Sequence, residues 1–307
     1  MRAAIITQFG EPQLGEFPEP EAGPDLLVLD VMAAAVNHVD LMRATGRFYT
    51  GPPPLPSVVG SDGVGRRADG RLVYFDAPIA PFGSMAERTL VRADSVIEVP
   101  DGVDPRTAAA LGNAGLAAHT GLRWRAGLRE GETVLVLGAT GVVGGLAVQV
   151  ARLLGAGRVI AAGRDPEGLA RAAELGADAT VALGAVEDLP AALAGADVIV
   201  DLLWGEPALA ALAGAASGVR MVQIGQLAGL EARVPAALVR SRAADIRGHA
   251  VFQAPYEVRA AAYRELAHAA RRGDLRVAVQ TVPLADITAA WRRQSAGTRG
   301  VKQVVVP

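Results

Sequence analysis

The chain has 307 residues, a length that suggests two domains of roughly 100–200 residues each. Hydrophobic residues at 51% and charged residues at 20% can fill a core and argue against disorder. A net charge of −2 supplies no basic field for nucleic acid or an anionic membrane, and the lack of cysteine excludes disulfides, thiolate nucleophiles and Cys-ligated metals.

The first hundred residues are rich in proline and glycine, with apolar runs at 3–6, 26–31, 72–75, 87–91 and 95–99. Each has the length and content of a strand. The segment Gly51-Pro52-Pro53-Pro54-Leu55-Pro56 reads as a stiff loop, because proline lacks the N–H that helix and sheet require. This part is expected to be a small, irregular β-rich domain. A helix is expected over 107–122, after which strands and helices alternate. Strands are expected at 133–137, 158–162, 180–183, 198–202 and 220–224, with helices at 142–154, 166–175 and 207–216. This β-α-β order implies a parallel sheet covered by helices on both faces. A helix at 256–272, a strand at 277–282, a short helix at 287–294 and a strand at 301–306 complete the chain. The most apolar stretch, 133–150, is broken by glycines and followed by Arg152, so it does not read as a membrane span. No signal-peptide pattern opens the chain. A cytoplasmic protein with no nucleic-acid or membrane partner is the expectation.

The strongest local signal runs from Val134 to Gly144, as Val134-Leu135-Val136-Leu137-Gly138-Ala139-Thr140-Gly141-Val142-Val143-Gly144. An apolar strand enters closely spaced glycines and a helix follows at once. A pyrophosphate is favoured there by free N–H groups and the helix dipole. A side chain at Gly141 would obstruct that approach, and Gly144 lets the helix pack on the strand. No Lys-Ser or Lys-Thr pair follows, which excludes a Walker-type loop. The second strand runs into Gly163 and Arg164. Gly163 leaves room for a phosphate and Arg164 offers a charged fork to hold it, favouring NADPH over NADH. Asp165 is the counter-argument, although its place before Pro166 suits a helix cap.

With these residues in hand, the chain resembles the medium-chain dehydrogenase/reductase superfamily, in its zinc-free quinone oxidoreductase branch. Val36-Asn37-His38-Val39-Asp40, Gly46-Arg47-Phe48-Tyr49, Leu55-Pro56 and Val59-Gly60 resemble the N-terminal signature of that branch. Ala109-Ala110-Leu111, Ala114-Gly115-Leu116, Gly131 to Val136, Leu175-Gly176-Ala177-Asp178 and Ala196 to Asp201 extend the likeness. The resemblance implies an α/β protein: a GroES-like β-rich catalytic domain, here 1–118 with 257–307, and a Rossmann nucleotide domain, here 119–256. It also implies a homodimer. Some positions depart from the family pattern. Val59-Gly60-Ser61-Asp62 lacks a Gly-His-Glu zinc motif, and the four histidines, at 38, 119, 249 and 268, have no metal-ligand spacing. The family lysine and tyrosine near the adenosine phosphate fall on Gly168 and Leu183, which puts more weight on Arg164 and weakens the case for NADPH; a solvated surface arginine is the other reading of Arg164.

Without a metal to polarise a carbonyl, the cofactor carries the chemistry and the protein positions it. An NADPH-dependent reductase of a quinone or similar activated acceptor is the leading expectation. A reductase of enoyl or 2-alkenone double bonds and a non-catalytic NADPH-binding protein remain as alternatives. By its place in the family motif, Asn37 is a candidate to orient substrate or nicotinamide; a loop-stabilising amide is the other reading. Tyr49 is a candidate proton donor or a wall residue. Asp40 is grouped with them, with fixing the local backbone or capping a helix as its more economical role. On the nucleotide side the candidates are Gly138, Thr140, Gly141, Val142, Val143, Gly144, Gly163 and Arg164. Leu202, Leu203, Gly225 and Gln226 follow strand ends, where ligands bind open parallel sheets, and Phe252 joins them as a candidate contact for the nicotinamide half.

Overall fold

The computed structural model describes residues 1–184 and 189–307. They form two compact units, Met1–Asn113 with Tyr263–Pro307, and Ala114–Ala262.

The first unit opens with β1 (Arg2–Ile6), β2 (Gln13–Glu16), β3 (Leu26–Ala35) and α1 (His38–Ala44). Next come β4 (Ser57–Val58), β5 (Gly63–Arg66), β6 (Leu72–Phe75), β7 (Arg88–Arg92) and β8 (Ile97–Glu98). The strand expected at 95–99 is shorter than its composition suggested. A 3₁₀ turn at Ala93–Ser95 takes its first residue, and only Ile97–Glu98 joins the sheet, opposite Tyr74 and Val73.

Helix α2 (Pro105–Thr120) is broken at Gly112, whose ψ of −113° is far from helical. A β-carbon on Gly112 would lie 2.4 Å from both Asp62 Oδ2 and Tyr74 Cε2. The helix bends because two side chains of its own unit stand beside it. Gly121 and Leu122, the last two residues expected of this helix, begin a π-helical segment, Gly121–Ala126, closed by Gly127 with φ +61°.

The second unit continues with β9 (Thr133–Leu137), α3 (Val142–Leu153), β10 (Arg158–Gly163), α4 (Pro166–Glu174), β11 (Ala179–Ala182) and α5 (Leu189–Ala192). It then runs through β12 (Val198–Asp201), α6 (Gly205–Gly214), β13 (Arg220–Gln223), α7 (Ala236–Arg242) and β14 (Asp245–Gly248). All six strands are parallel, in the order β11-β10-β9-β12-β13-β14. Read from β9, this is the doubly wound 3-2-1-4-5-6 order. Strands β9 and β12 are neighbours, yet the chain leaves them toward opposite edges, so the topological switch point lies between their C-terminal ends. Leu135, Leu137, Ile160, Ile199, Leu212 and Met221 pack one face of this sheet.

Helix α8 (Tyr256–Arg272), β15 (Ala278–Pro283), α9 (Ile287–Ala296) and β16 (Val301–Val306) complete the chain. The first unit holds a three-stranded sheet, β2-β1-β4, and a seven-stranded sheet in which β15-β16-β3-β5-β6-β8 run in order and β7 pairs with β3. Its core gathers Leu29, Val73, Phe75 and Val305 from sequence-distant strands, Met85 from the segment before β7, and Trp291 from α9. Among the described residues no helix is long and apolar enough to cross a membrane.

Candidate functional site

Two constellations of polar residues stand out, one in each unit. In the second unit the glycine loop joins β9 to α3. Gly138 has φ +83°, a left-handed conformation that only glycine adopts without strain. A β-carbon on Gly144 would fall 2.2 Å from Gly138 O, so that glycine lets α3 lie directly on the loop. Gly141 is different, since the nearest atom to a β-carbon there is Gly138 O at 3.5 Å. The space beside it is open. Gly141 is also the N-cap of α3 and offers no side chain to the helix. The first N–H groups of α3, from Val142, Val143 and Gly144, have no side-chain cap and keep the partial positive charge of a helix start.

At the neighbouring strand end, Asp201 Oδ1 accepts the N–H groups of Leu203 and Trp204, each at 2.9 Å. This carboxylate holds a turn in which Trp204 takes φ +58°, and burial raises the Asp201 pKa to about 6 against those two hydrogen bonds. Leu202 and Leu203 pack on Gly138. Gly225 is as close on the other side, with a β-carbon position 2.5 Å from Leu202 O. Gly138, Leu202, Leu203 and Gly225 therefore meet at the C-terminal edge of the sheet. Gln226 is exposed, and Phe252 is half-exposed in the 3₁₀ turn Val251–Gln253.

The end of β10 corrects one expectation. The absent side chain of Gly163 does not leave an empty space for a phosphate, because Thr140 Cγ2 occupies it, 2.4 Å from where a β-carbon would stand. Gly168 faces the same side chain, with Thr140 Cβ at 2.6 Å. The two glycines accommodate Thr140. Asp165 is the N-cap of α4, accepting from Gly168 N at 3.1 Å, and Pro166 opens the helix. Arg164 is exposed and makes no ion pair among the described residues.

In the first unit, Asn37, Asp40, Ser61, Asp62, Tyr74 and Lys302 form a buried hydrogen-bonded network. Asn37 Nδ2 donates to Asp62 Oδ1 at 2.7 Å and to Ala35 O at 3.3 Å. Its Oδ1 accepts from Lys302 Nζ at 2.5 Å, and Nζ also donates to Val36 O at 2.9 Å. Asp40 Oδ2 accepts the Asn37 backbone N–H at 2.8 Å and Oδ1 accepts from Ser61 Oγ. Asp62 Oδ2 accepts from Asn113 N at 2.7 Å and from Tyr74 OH at 3.2 Å. The Tyr74 ring stacks on Tyr263 with centroids 4.4 Å apart, a contact worth about 0.5–1.5 kcal/mol beyond its area.

Burial dominates the electrostatics here. It pushes Asp62 up to about 7, with Asp40 adding to the rise and Lys302 opposing it. Burial also raises Asp40 and lowers Lys302, the latter against the pull of Asp62 and Asp40. Asn37 and Asp40 thus belong to one network, in which both N–H groups of the Asn37 carboxamide and each oxygen of Asp40 are engaged. Tyr49 lies beyond the end of α1 with its ring against Phe48 at 4.1 Å and is 70% exposed.

Sequence reasoning overlooked Asp62 and Lys302. A signal was available for the second: the chain contains 29 arginines and one lysine. Among the described residues no group of three or more His, Cys, Asp or Glu is placed to hold a metal ion. With no cysteine in the chain and no such cluster, these residues do not fit a zinc site.

The parallel sheet, its switch point and the uncapped glycine loop define a Rossmann-type nucleotide-binding fold in the second unit, and the first unit is β-rich and GroES-like. A family model described as "Zinc-binding dehydrogenase" matches residues 142–268. A quinone oxidoreductase from Thermus thermophilus, solved alone and with NADPH, superposes with a TM-score of 0.87 at 32% identity over the full length of both chains. A 2-methylene-furan-3-one reductase from Solanum lycopersicum is 34% identical over 183 residues, 52% of this chain and 47% of its own. The mouse quinone oxidoreductase-like protein 2 is 29% identical over 256 residues, 78% of this chain and 71% of its own. The match therefore spans about half the length of the tomato relative. The chain belongs to the medium-chain dehydrogenase/reductase family, in its quinone oxidoreductase branch.

Proposed function

We propose that the protein is an NADPH-dependent, metal-independent reductase that delivers hydride to a quinone or a similarly activated acceptor. The observation that carries this reading is the open, uncapped start of α3 at Gly141, beside the switch point between β9 and β12. A dinucleotide pyrophosphate fits the N–H groups of Val142, Val143 and Gly144. Leu202, Leu203 and Gly225 offer a backbone-lined, largely apolar edge for the nicotinamide half. The exposed guanidinium of Arg164 favours the 2′-phosphate of NADPH, while Asp165, engaged as a helix cap, is a poor ribose ligand. The NADPH complex of the Thermus relative supports the same choice.

When bound, the reduced nicotinamide supplies a hydride, so a quinone plus one proton becomes a hydroquinone. The chain's own part is to orient the ring and exclude water. Water or the exposed phenol of Tyr49 delivers the proton to the reduced oxygen. The Asn37–Asp40 network holds the segment that leads to Tyr49. A homodimer is the assembly favoured by the family resemblance.

The tomato relative supports a second reading, in which the acceptor is an α,β-unsaturated ketone. Both readings share a direct test. Protein dialysed against EDTA is given NADPH deuterated at the transferred position, with a quinone or a 2-alkenone. Turnover insensitive to the chelator, with deuterium carried to the β-carbon of the alkenone, supports the metal-independent reductase. Turnover lost with the chelator and restored by zinc contradicts it.

A further inference from the structure

Lysine occurs once in this chain, and it is buried. Of 30 basic residues only Lys302 is not arginine, and it is 5% exposed. It stands on β16, whose neighbour Gln303 accepts the Val36 N–H at 3.0 Å. That register brings Nζ against the turn between β3 and α1, where it meets Val36 O and Asn37 Oδ1. Two acceptors converging on one point suit a compact ammonium. A guanidinium would bring a planar fork of five donors into the same space.

The charges around it come from several elements. Asp40 faces it from α1, Asp62 from the segment before β5, and His38 from the first position of α1. Asp62 in turn faces Asp40, Tyr74 on β6 and Tyr263 on α8, and Arg43 faces Asp40. One ammonium thus stands among two buried carboxylates. This arrangement leaves the Asn37 carboxamide a single orientation. Turned over, it would aim N–H groups at an ammonium and its oxygen at a carboxylate.

We propose that Lys302 is a positioning residue: by holding Asn37 through Oδ1 it fixes the turn from Ala35 to Asp40, and with it the backbone of α1 and of the whole segment that follows, whose placement matters beyond the Tyr49 phenol alone. The catalytic part of this proposal rests on the reductase reading given above.

The test uses Lys302→Met, Lys302→Arg and the double variant Asp62→Asn/Lys302→Met. Lys302→Met lowers kcat with a quinone at least tenfold while KM for NADPH changes less than twofold, because the glycine loop belongs to the other unit. Lys302→Arg stays below about a third of the wild-type kcat. The double variant removes the carboxylate left without its cation, so it regains the thermal midpoint without regaining kcat. It also carries the test if Lys302→Met does not fold. A purely structural cation would let both quantities recover together, and that result overturns the proposal. So does a folded Lys302→Met with kcat within twofold of wild type.

A readout independent of turnover is at hand, because the chain has only two asparagines, Asn37 and Asn113. With ¹⁵N-asparagine, the Asn37 side-chain amide exchanges slowly with solvent in the wild type and at least tenfold faster in Lys302→Met, or in the double variant if the single one does not fold. Unchanged protection overturns the positioning role. A wild-type protein that oxidises no NADPH overturns the reductase reading and leaves this exchange result to be judged separately.

Discussion

The methyl group of Thr140 stands where a side chain at position 163 would have to go, with Thr140 Cγ2 2.4 Å from the ideal β-carbon of Gly163. The glycine at the end of β10 thus serves the packing of the glycine loop. Gly163→Ala must turn or displace Thr140, and overpacking of this kind typically costs about 1–3 kcal/mol. We expect a lower urea midpoint and weaker NADPH binding for Gly163→Ala. Thr140→Ala in the same chain removes the clashing methyl, and the pair should recover most of the lost stability. Additive losses in the double variant would show that Thr140 is not the constraint.

Arg164 and Asp165 are adjacent in sequence and differ in surroundings, since Asp165 caps α4 and Arg164 projects into solvent. If Arg164 reads the adenosine phosphate, Arg164→Ala weakens NADPH by about tenfold or more, a change of about 1.4 kcal/mol, and leaves NADH within about twofold. Fluorescence titration with both nucleotides measures this. Equal weakening of the two would remove Arg164 from phosphate recognition.

The buried carboxylate of Asp62 links stability to pH. Its folded pKa, raised from 3.8 to about 7 mainly by burial, lies above the unfolded value, so the folded state holds the proton more tightly. Its contribution to stability is full below about 3.8, declines as pH rises and is gone once pH passes about 7. Other buried groups titrate nearby, Asp201 to about 6 and His249 to about 4, so the informative quantity is the difference between wild type and Asp62→Asn. That difference in unfolding free energy should shift in favour of the variant between pH 4 and pH 7 and then level off. A difference independent of pH would mean that Asp62 titrates as it does in the unfolded chain.

Tyr49 is 70% exposed, so water has access to the same protons as its phenol. Tyr49→Phe should keep at least about a third of the wild-type kcat, with a flat ratio between the two enzymes from pH 6 to pH 8. A loss of a hundredfold or more, within the usual range for a positioned general acid, would assign proton transfer to Tyr49.

The long periodic elements were legible in the sequence. Tyr256–Arg272 and Val301–Val306 have the expected bounds, and the apolar run of β9 ending in Gly138 and Gly144 announced both the strand and the conformational demands on its loop. Other elements carried weaker signals. Strand β14, Asp-Ile-Arg-Gly, lies at the sheet edge and lacks an apolar run. The break in α2 depends on Asp62 and Tyr74, 50 and 38 residues before Gly112, and no local pattern reports contacts at that range. The packing of Thr140 into Gly163 and Gly168 has the same character, because a glycine read alone suggests vacancy where the fold supplies a neighbour. Lys302 was hidden for another reason. A lysine in a terminal strand resembles an exposed edge residue, and only its being the single lysine among 29 arginines set it apart.

The most direct test is the initial rate of nucleotide oxidation by the purified protein, with NADPH and NADH each offered an ortho-quinone and a 2-alkenone. Turnover with NADPH at least tenfold faster than with NADH, and faster with the quinone than with the alkenone, is the predicted result. Faster turnover of the alkenone would move the acceptor to an activated double bond. No oxidation with either acceptor, while NADPH still binds, would contradict the reductase reading.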